Sequence, residues 1–199
     1  ASDVYKRQIL EDAPTELNSL EFLSKRLGPI HEVLFERIHN VSVTGNVYNV
    51  AHTPKGLPPH NDFASYKSQP SVQVLHMLEN ECEGGESIIV DGWQVAEDLK
   101  KEEPKYFSIL QKFKVPFREF DEQNETYAEA PLIQCSSTGA IESFRFSNQL
   151  MQMINPLREG IKEFYEAYHE VSRRVHDHKY RSTFRLNGCL LYTSDAADE

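Results

Sequence analysis

The amino-acid sequence predicts a mainly β fold carrying helices (α+β), a distorted jelly roll in preference to a regular sandwich. Three observations point there. Ser71–Leu78 and Ser87–Val90 are short β-prone runs, apolar on both faces and joined through Gly84-Gly85. Two helix signals then interrupt a chain that returns to strand three more times. Finally, an apolar stripe of helical period covers the last third and is followed by one more strand.

Taken in order, Thr15–Leu27 carries Leu17, Leu20, Leu23 and Leu27 at helical spacing, with Gly28-Pro29 as a stop. Asn46–Ala51 is β-prone, and the Pro-rich run from Thr53 to Pro59 reads as an extended approach to His60, where a strand is expected to begin. The Ser71–Leu78 strand puts Val72, Val74, His76 and Leu78 on one face and Leu75 and Met77 on the other. Asp91 is placed to N-cap a helix through Lys101 with Gln94 at the capping-box position, and Pro104 suits the first turn of a helix reaching Phe113. Strands follow near Val115–Glu119, Ala130–Cys135 and Ile141–Phe146, the last two joined by Ser137-Thr138-Gly139. Asn155-Pro156 is read as opening a long helix with Leu157, Ile161, Phe164, Tyr165, Tyr168, Val171 and Val175 on its apolar stripe. Tyr180–Leu186 returns to strand.

The two ends stand apart. Residues 1–8 can be encoded by GCGTCAGATGTGTATAAGAGACAG, whose reverse complement, shifted by one base, translates as the octet found at residues 189–196. Residues 1–8 and 189–199 are therefore expected to be adapter-derived scars, leaving residues 9–188 as a partial domain. Setting them aside moves the formal net charge from −10 to −8. No basic cluster suggests nucleic acid, and no apolar run is long enough to span a bilayer. Cys82 and Cys135 remain, too few for a disulfide framework and suited to a reducing compartment.

The chemistry centres on His60-Asn61-Asp62. An imidazole and a carboxylate two residues apart on an extended segment point the same way and supply two arms of a facial metal site. No downstream His stands in a matching context to supply the third. His76 lies within an apolar strand and reads as a core histidine. His176 and His178 flank Asp177 at a helix end and read as solvated. Cys82 and Cys135 show no nucleophile context.

Leu57-Pro58-Pro59-His60-Asn61-Asp62, Val72 to Asn80, Gly84-Gly85-Glu86-Ser87 and Val90-Asp91-Gly92-Trp93 together resemble the gamma-butyrobetaine and trimethyllysine dioxygenases, within the 2-oxoglutarate and iron dioxygenases that include taurine dioxygenase. Gly28-Pro29-Ile30, Arg145-Phe146-Ser147-Asn148 and the Phe164, Tyr165, Tyr168 helix are fainter echoes. The resemblance implies a double-stranded β-helix of the clavaminate synthase-like kind, here without its C-terminal strands. It implies iron(II) held by His60 and Asp62, with a distal His and a 2-oxoglutarate-binding Arg beyond Gly188. Ser87 matches the position whose hydroxyl helps hold 2-oxoglutarate. The implied reaction couples oxidative decarboxylation of 2-oxoglutarate by O2 to hydroxylation of a small amino acid- or betaine-like substrate. Ascorbate as an additional reductant and a homodimer stay open, and the implied setting is the cytoplasm or the mitochondrion.

In the betaine-type enzymes aromatic rings meet a trimethylammonium group. Matching through Asn49-Val50-Ala51 puts His52 where the family has Tyr, and the upstream pair falls on Phe35 and His39. Asn49 keeps a position that can bind a substrate carboxylate, and the second such Asn falls on Ser147 beside Asn148. The cage is weakened, so a related amino acid or betaine competes with gamma-butyrobetaine as substrate. Two other classes stay open: a jelly-roll binding protein or pseudoenzyme without turnover, and a zinc hydrolase, for which no general-base Glu stands near a second metal-spaced His.

Overall fold

The computed structural model describes residues 7–33, 37–40, 55–70, 72–80, 83–121, 123–186 and 190–195. The chain divides into two bodies. The first (residues 1–58, 72–86 and 185–195) contains helix α1 (Leu20–Leu27) and a three-stranded antiparallel sheet. Its strand order is β1 (Arg7–Leu10), β9 (Leu190–Asp195), β2 (Val72–Met77), with Arg7 opposite Ser194 and Val72 opposite Asp195. All of β9, the partner of β2, and the first two residues of β1 thus fall among those assigned from the sequence to the adapter-derived ends.

Helix α1 starts five residues later than the leucine pattern predicts. Asn18 has φ 67°, a left-handed conformation that cannot propagate a right-handed helix. Ser19, its N-cap, instead donates its hydroxyl to the Glu16 carbonyl at 2.7 Å. Strand β2 forms where expected, but it is not buried on both faces: Val72 and Leu75 are exposed. It is an edge strand, paired among the described residues only with β9. The Asn46–Ala51 strand prediction and Cys82 lie outside the described residues.

The second body (residues 59–71, 87–184 and 196–199) holds the described core. Strand β3 (Ser87–Val90) pairs antiparallel with β8 (Arg181–Phe184), Ser87 opposite Phe184. Among the described residues a single partner strand covers β3, so Ile88 is exposed and the expected burial on both faces does not occur here either. Helix α2 (Gly92–Glu102) begins where Asp91 accepts from the Gln94 amide at 2.9 Å, as the sequence predicts. The reciprocal half of the capping box is absent. Gln94 Nε2 donates to Asp98 at 2.7 Å, and the Asp91 amide donates to the Tyr180 carbonyl. Helix α3 (Pro104–Lys112) carries Pro at its first position.

Strands β4 (Val115–Phe120) and β5 (Glu125–Ala130) form one hairpin, and β6 (Ile133–Cys135) and β7 (Ile141–Phe144) another. The strand expected over Ala130–Cys135 is therefore two: it breaks at Pro131, which has no amide to donate to a ladder. Helix α4 (Ile161–Val175) starts five residues after Pro156, because Gly160 sits at φ 77° and Asn155 spends its side chain capping the Leu157 amide. Leu157, expected on the buried stripe, is 90% exposed, and Tyr165 is also exposed. Val95, Leu99, Leu110, Val115, Phe117, Phe144, Phe146, Phe164, Val171 and Val175 form the packed interior between the helices and the hairpins. The content is mixed α/β throughout. Among the described residues no helix is long and apolar enough to cross a membrane.

Candidate metal centre

His60 and Asp62 meet, although not on a strand. Asp62–Ser65 is a turn in which Phe63 takes φ 53°, a left-handed conformation that costs an ordinary residue about 1–2 kcal/mol. The extended segment expected to start at His60 therefore bends at once. The side chains still converge, with His60 Nε2 3.2 Å from Asp62 Oδ1, at 25% and 40% exposure. Two donors each about 2.1 Å from one metal ion, at right angles, stand about 3 Å apart. The imidazole nitrogen and carboxylate oxygen thus fit adjacent positions around one ion, and the rest of the coordination sphere must come from elsewhere. Among the described residues no group of three His, Cys, Asp or Glu side chains can hold a metal.

The pair is anchored from behind. The Asn61 amide donates to the Phe146 carbonyl at 2.7 Å, and the Phe146 amide donates to Asn61 Oδ1 at 2.7 Å. Arg145, buried in the interior, donates through Nη1 to the carbonyls of Ala64 and Tyr66 (2.8 Å to the latter) and through Nη2 to Lys67 at 3.4 Å. Its guanidinium lies over the Phe117 ring at 5.7 Å. Burial holds its pKa below the ordinary value. Gln69 Nε2 donates to the Asp62 carbonyl at 3.0 Å, and the Ser65 and Thr126 hydroxyls are 2.7 Å apart.

Thr126 stands opposite Glu119 in the β4–β5 register. The half-buried Glu119 carboxyl is held above the usual carboxylate range by burial first, and then by the negative charges of Asp62 and Asp121. Asp62 thus lies near enough to Glu119 for its charge to disfavour ionisation of that carboxyl.

Ser147 and Asn148 follow directly on Phe146, the residue bonded to Asn61. They face different ways. Ser147 is 2% exposed and its hydroxyl has no hydrogen-bond partner among the described residues, whereas Asn148 is exposed and accepts from the Tyr168 hydroxyl. Tyr168 lies against Phe146 and Phe164, with centroids 5.6 and 5.7 Å away. Burial, aided by Tyr165, pushes its phenol up to about 12, so it stays a donor at any working pH.

Ser87 is half-buried on β3, and its hydroxyl makes no side-chain hydrogen bond among the described residues. Phe35, Asn49 and His52 lie outside the described residues, and His39 is exposed. The three histidines set aside from the sequence are half-buried (His76), bonded to the Ser172 carbonyl through Nδ1 (His176) and fully exposed (His178). Two shallow depressions on the outside of α4, one lined by His169, Arg173 and His176 and the other by Tyr106 and Lys162, contain none of the expected site residues.

Sequence reasoning missed Asn61, Arg145 and Glu119. Asn61 sits inside the motif that was read for its two flanking residues. Only the strand register reveals Glu119, and a buried Arg with no carboxylate partner has no sequence signature.

Residues 8–191 match the family described as Taurine catabolism dioxygenase TauD, TfdA family. A gamma-butyrobetaine dioxygenase from Pseudomonas sp. (strain AK-1) is 31% identical over 186 residues, covering 94% of this chain and 49% of that protein. The gamma-butyrobetaine dioxygenase of Homo sapiens is 28% identical over 188 residues, covering 92% of this chain and 48% of its own length. The chain thus spans about half the length of the curated relatives it matches. A solved Burkholderia xenovorans structure described as an alpha-ketoglutarate-dependent taurine dioxygenase superposes with a TM-score of 0.67 at 12% identity, over 97% of this chain and 69% of that one. That likeness is one of fold. With the match running over nearly its whole length, the chain belongs to the TauD/TfdA dioxygenase family.

Proposed function

We propose that the protein, in its full-length form, is a 2-oxoglutarate- and iron(II)-dependent dioxygenase that hydroxylates a small amino acid- or betaine-like substrate. The convergence of His60 and Asp62 at 3.2 Å, within a family match over residues 8–191, carries this reading. The 31% identity to a protein named gamma-butyrobetaine dioxygenase favours a substrate of that class. Iron(II), when bound, would supply a site where 2-oxoglutarate and O2 react together.

In this reading His60 and Asp62 hold the metal, and a carboxylate at position 62 leaves hydroxylation as the outcome. Ser87 donates to 2-oxoglutarate. Asn49, His52, Phe35, Ser147 and Asn148 contact the substrate, with Asn148 already oriented by Tyr168.

The wider architecture we propose is a double-stranded β-helix. Residues 9–188 hold its first half, and the third metal ligand and the 2-oxoglutarate-binding Arg follow Gly188. The nucleotide sequence downstream of Gly188 in a second copy of the gene tests this directly: continuation into a His and then an Arg is expected, and their absence favours a binding protein without turnover. The activity itself is tested by oxygen consumption with iron(II), 2-oxoglutarate and gamma-butyrobetaine. His60→Ala should abolish it, and full turnover in that variant refutes the site.

A further inference from the structure

We propose that Asn61 and Arg145 are positioning residues that hold the His60–Asp62 pair in its ligating arrangement by locking the turn behind it. The proposal rests on the iron-site reading above and deepens it. The turn needs such a lock. Phe63, immediately after Asp62, lies at φ 53°, where a bulky residue persists only if its surroundings over-determine it.

Two independent devices do so from one segment. Asn61 exchanges hydrogen bonds with the backbone of Phe146 in both directions, its amide to the carbonyl and the Phe146 amide to its side-chain oxygen, each at 2.7 Å. The ligand pair therefore straddles a residue pinned on both counts. Arg145, one position earlier, gathers the carbonyls of Ala64, Tyr66 and Lys67. These carbonyls converge because the chain curls after Asp62, and a planar guanidinium with several donors can hold them at once where a single ammonium cannot.

Among the described residues no carboxylate pairs with Arg145, and burial disfavours its charge, so the arrangement carries a cost that the helix-and-hairpin core alone does not require. Phe146 is fixed in turn by rings on two sides, Phe144 at 6.4 Å and Tyr168 at 5.6 Å, which makes it a rigid base for the clamp. Residues that orient ligands without touching the metal typically change affinity ten- to hundredfold when altered.

The test is a titration of the full-length protein with Co(II) alone, followed by visible absorption, for wild type, His60→Ala, Asn61→Ala, Arg145→Met and Arg145→Lys. Circular dichroism fixes a temperature at which each is folded. Asn61→Ala and Arg145→Met should bind Co(II) at least tenfold more weakly than wild type, with Arg145→Lys between. Wild-type affinity in folded Asn61→Ala overturns the proposal.

A second measurement needs no variant. Binding and positioning are linked, so saturating Co(II) should slow hydrogen exchange at the Phe146 and Tyr66 amides, and unchanged exchange there also overturns it. Failure of the underlying reading looks different: wild type gives no Co(II) signal, or His60→Ala keeps it in full.

Discussion

Gly92→Ala sets two opposing effects against each other. In a helix, alanine is favoured over glycine by about 0.8–1 kcal/mol, and less at the first helical position that Gly92 occupies, so propensity alone predicts a modest gain. Space predicts the reverse. A Cβ at residue 92 would stand 2.8 Å from Phe144 Cδ1 and 3.2 Å from Cε1, against an ordinary carbon–carbon separation of about 3.5–4.0 Å. The ring cannot simply swing away. Phe144 is buried and lies nearly parallel to Phe146, at an interplanar angle of 9°.

Overpacking of this kind costs about 1–3 kcal/mol, which exceeds the propensity gain, and the expected net loss is about 1–2 kcal/mol. Trp93, the single tryptophan and the next residue along, reports the transition, so urea unfolding followed by its fluorescence measures the change directly. At this chain length about 1 kcal/mol corresponds to a shift of about 2–4 °C in Tm. A Gly92→Ala variant as stable as wild type, or more so, refutes the close-approach explanation of the Asp91-Gly92-Trp93 motif.

Three further outcomes are expected. The Asp98 carboxyl is lowered to about 2, chiefly by hydrogen bonds from Lys179 (2.7 Å), Tyr180 (2.9 Å) and Gln94 (2.7 Å). A depressed folded-state pKa gives stability that is complete above about pH 3.8 and lost as pH falls towards 2. Because Lys179 is 57% exposed, the stake is about 1–2 kcal/mol, and Asp98→Asn should flatten the unfolding free energy across that window.

Ser147→Ala removes a buried hydroxyl that has no partner among the described residues, so stability should hold or rise by up to about 1 kcal/mol, and if the proposed substrate contact is right, substrate affinity falls. A Tm drop beyond a few degrees would show that the hydroxyl is structural. Tyr168→Phe keeps the ring contacts but frees Asn148, so it should leave Tm within about 2 °C and raise KM for the substrate. An unchanged KM would separate Asn148 from substrate binding.

Where the fold was legible, a local signal carried it. Asp91, Pro104 and the Ser137-Thr138-Gly139 turn end or start elements through their own side chains or backbone, and each did so in the structure. The errors fell where one residue's backbone overrode an apolar pattern. Asn18 and Gly160 in left-handed conformations shortened α1 and α4, and Pro131 split a strand. Strands β2 and β3 were β-prone as read, but burial depends on how many strands cover them, which no run of six residues encodes. At the candidate site, the His60–Asp62 pair was visible because its chemistry is local. The groups around it come from residues more than 50 positions away, Glu119, Thr126, Arg145 and Phe146, and only the folded chain assembles them.

The β3–β8 ladder makes residues 91–180 the loop of a single hairpin, closed by Val90 opposite Arg181. Closing a loop of about 90 residues rather than about four costs roughly 3 kcal/mol more in chain entropy if the loop is flexible. That penalty disappears once α2, α3, the two hairpins and α4 have condensed, because their own packing then delivers the ends side by side. The expected order of folding is that the helical insert matures first and β3 zips to β8 afterwards, which pulse-labelled hydrogen exchange checks as later protection of the strand that carries Ser87.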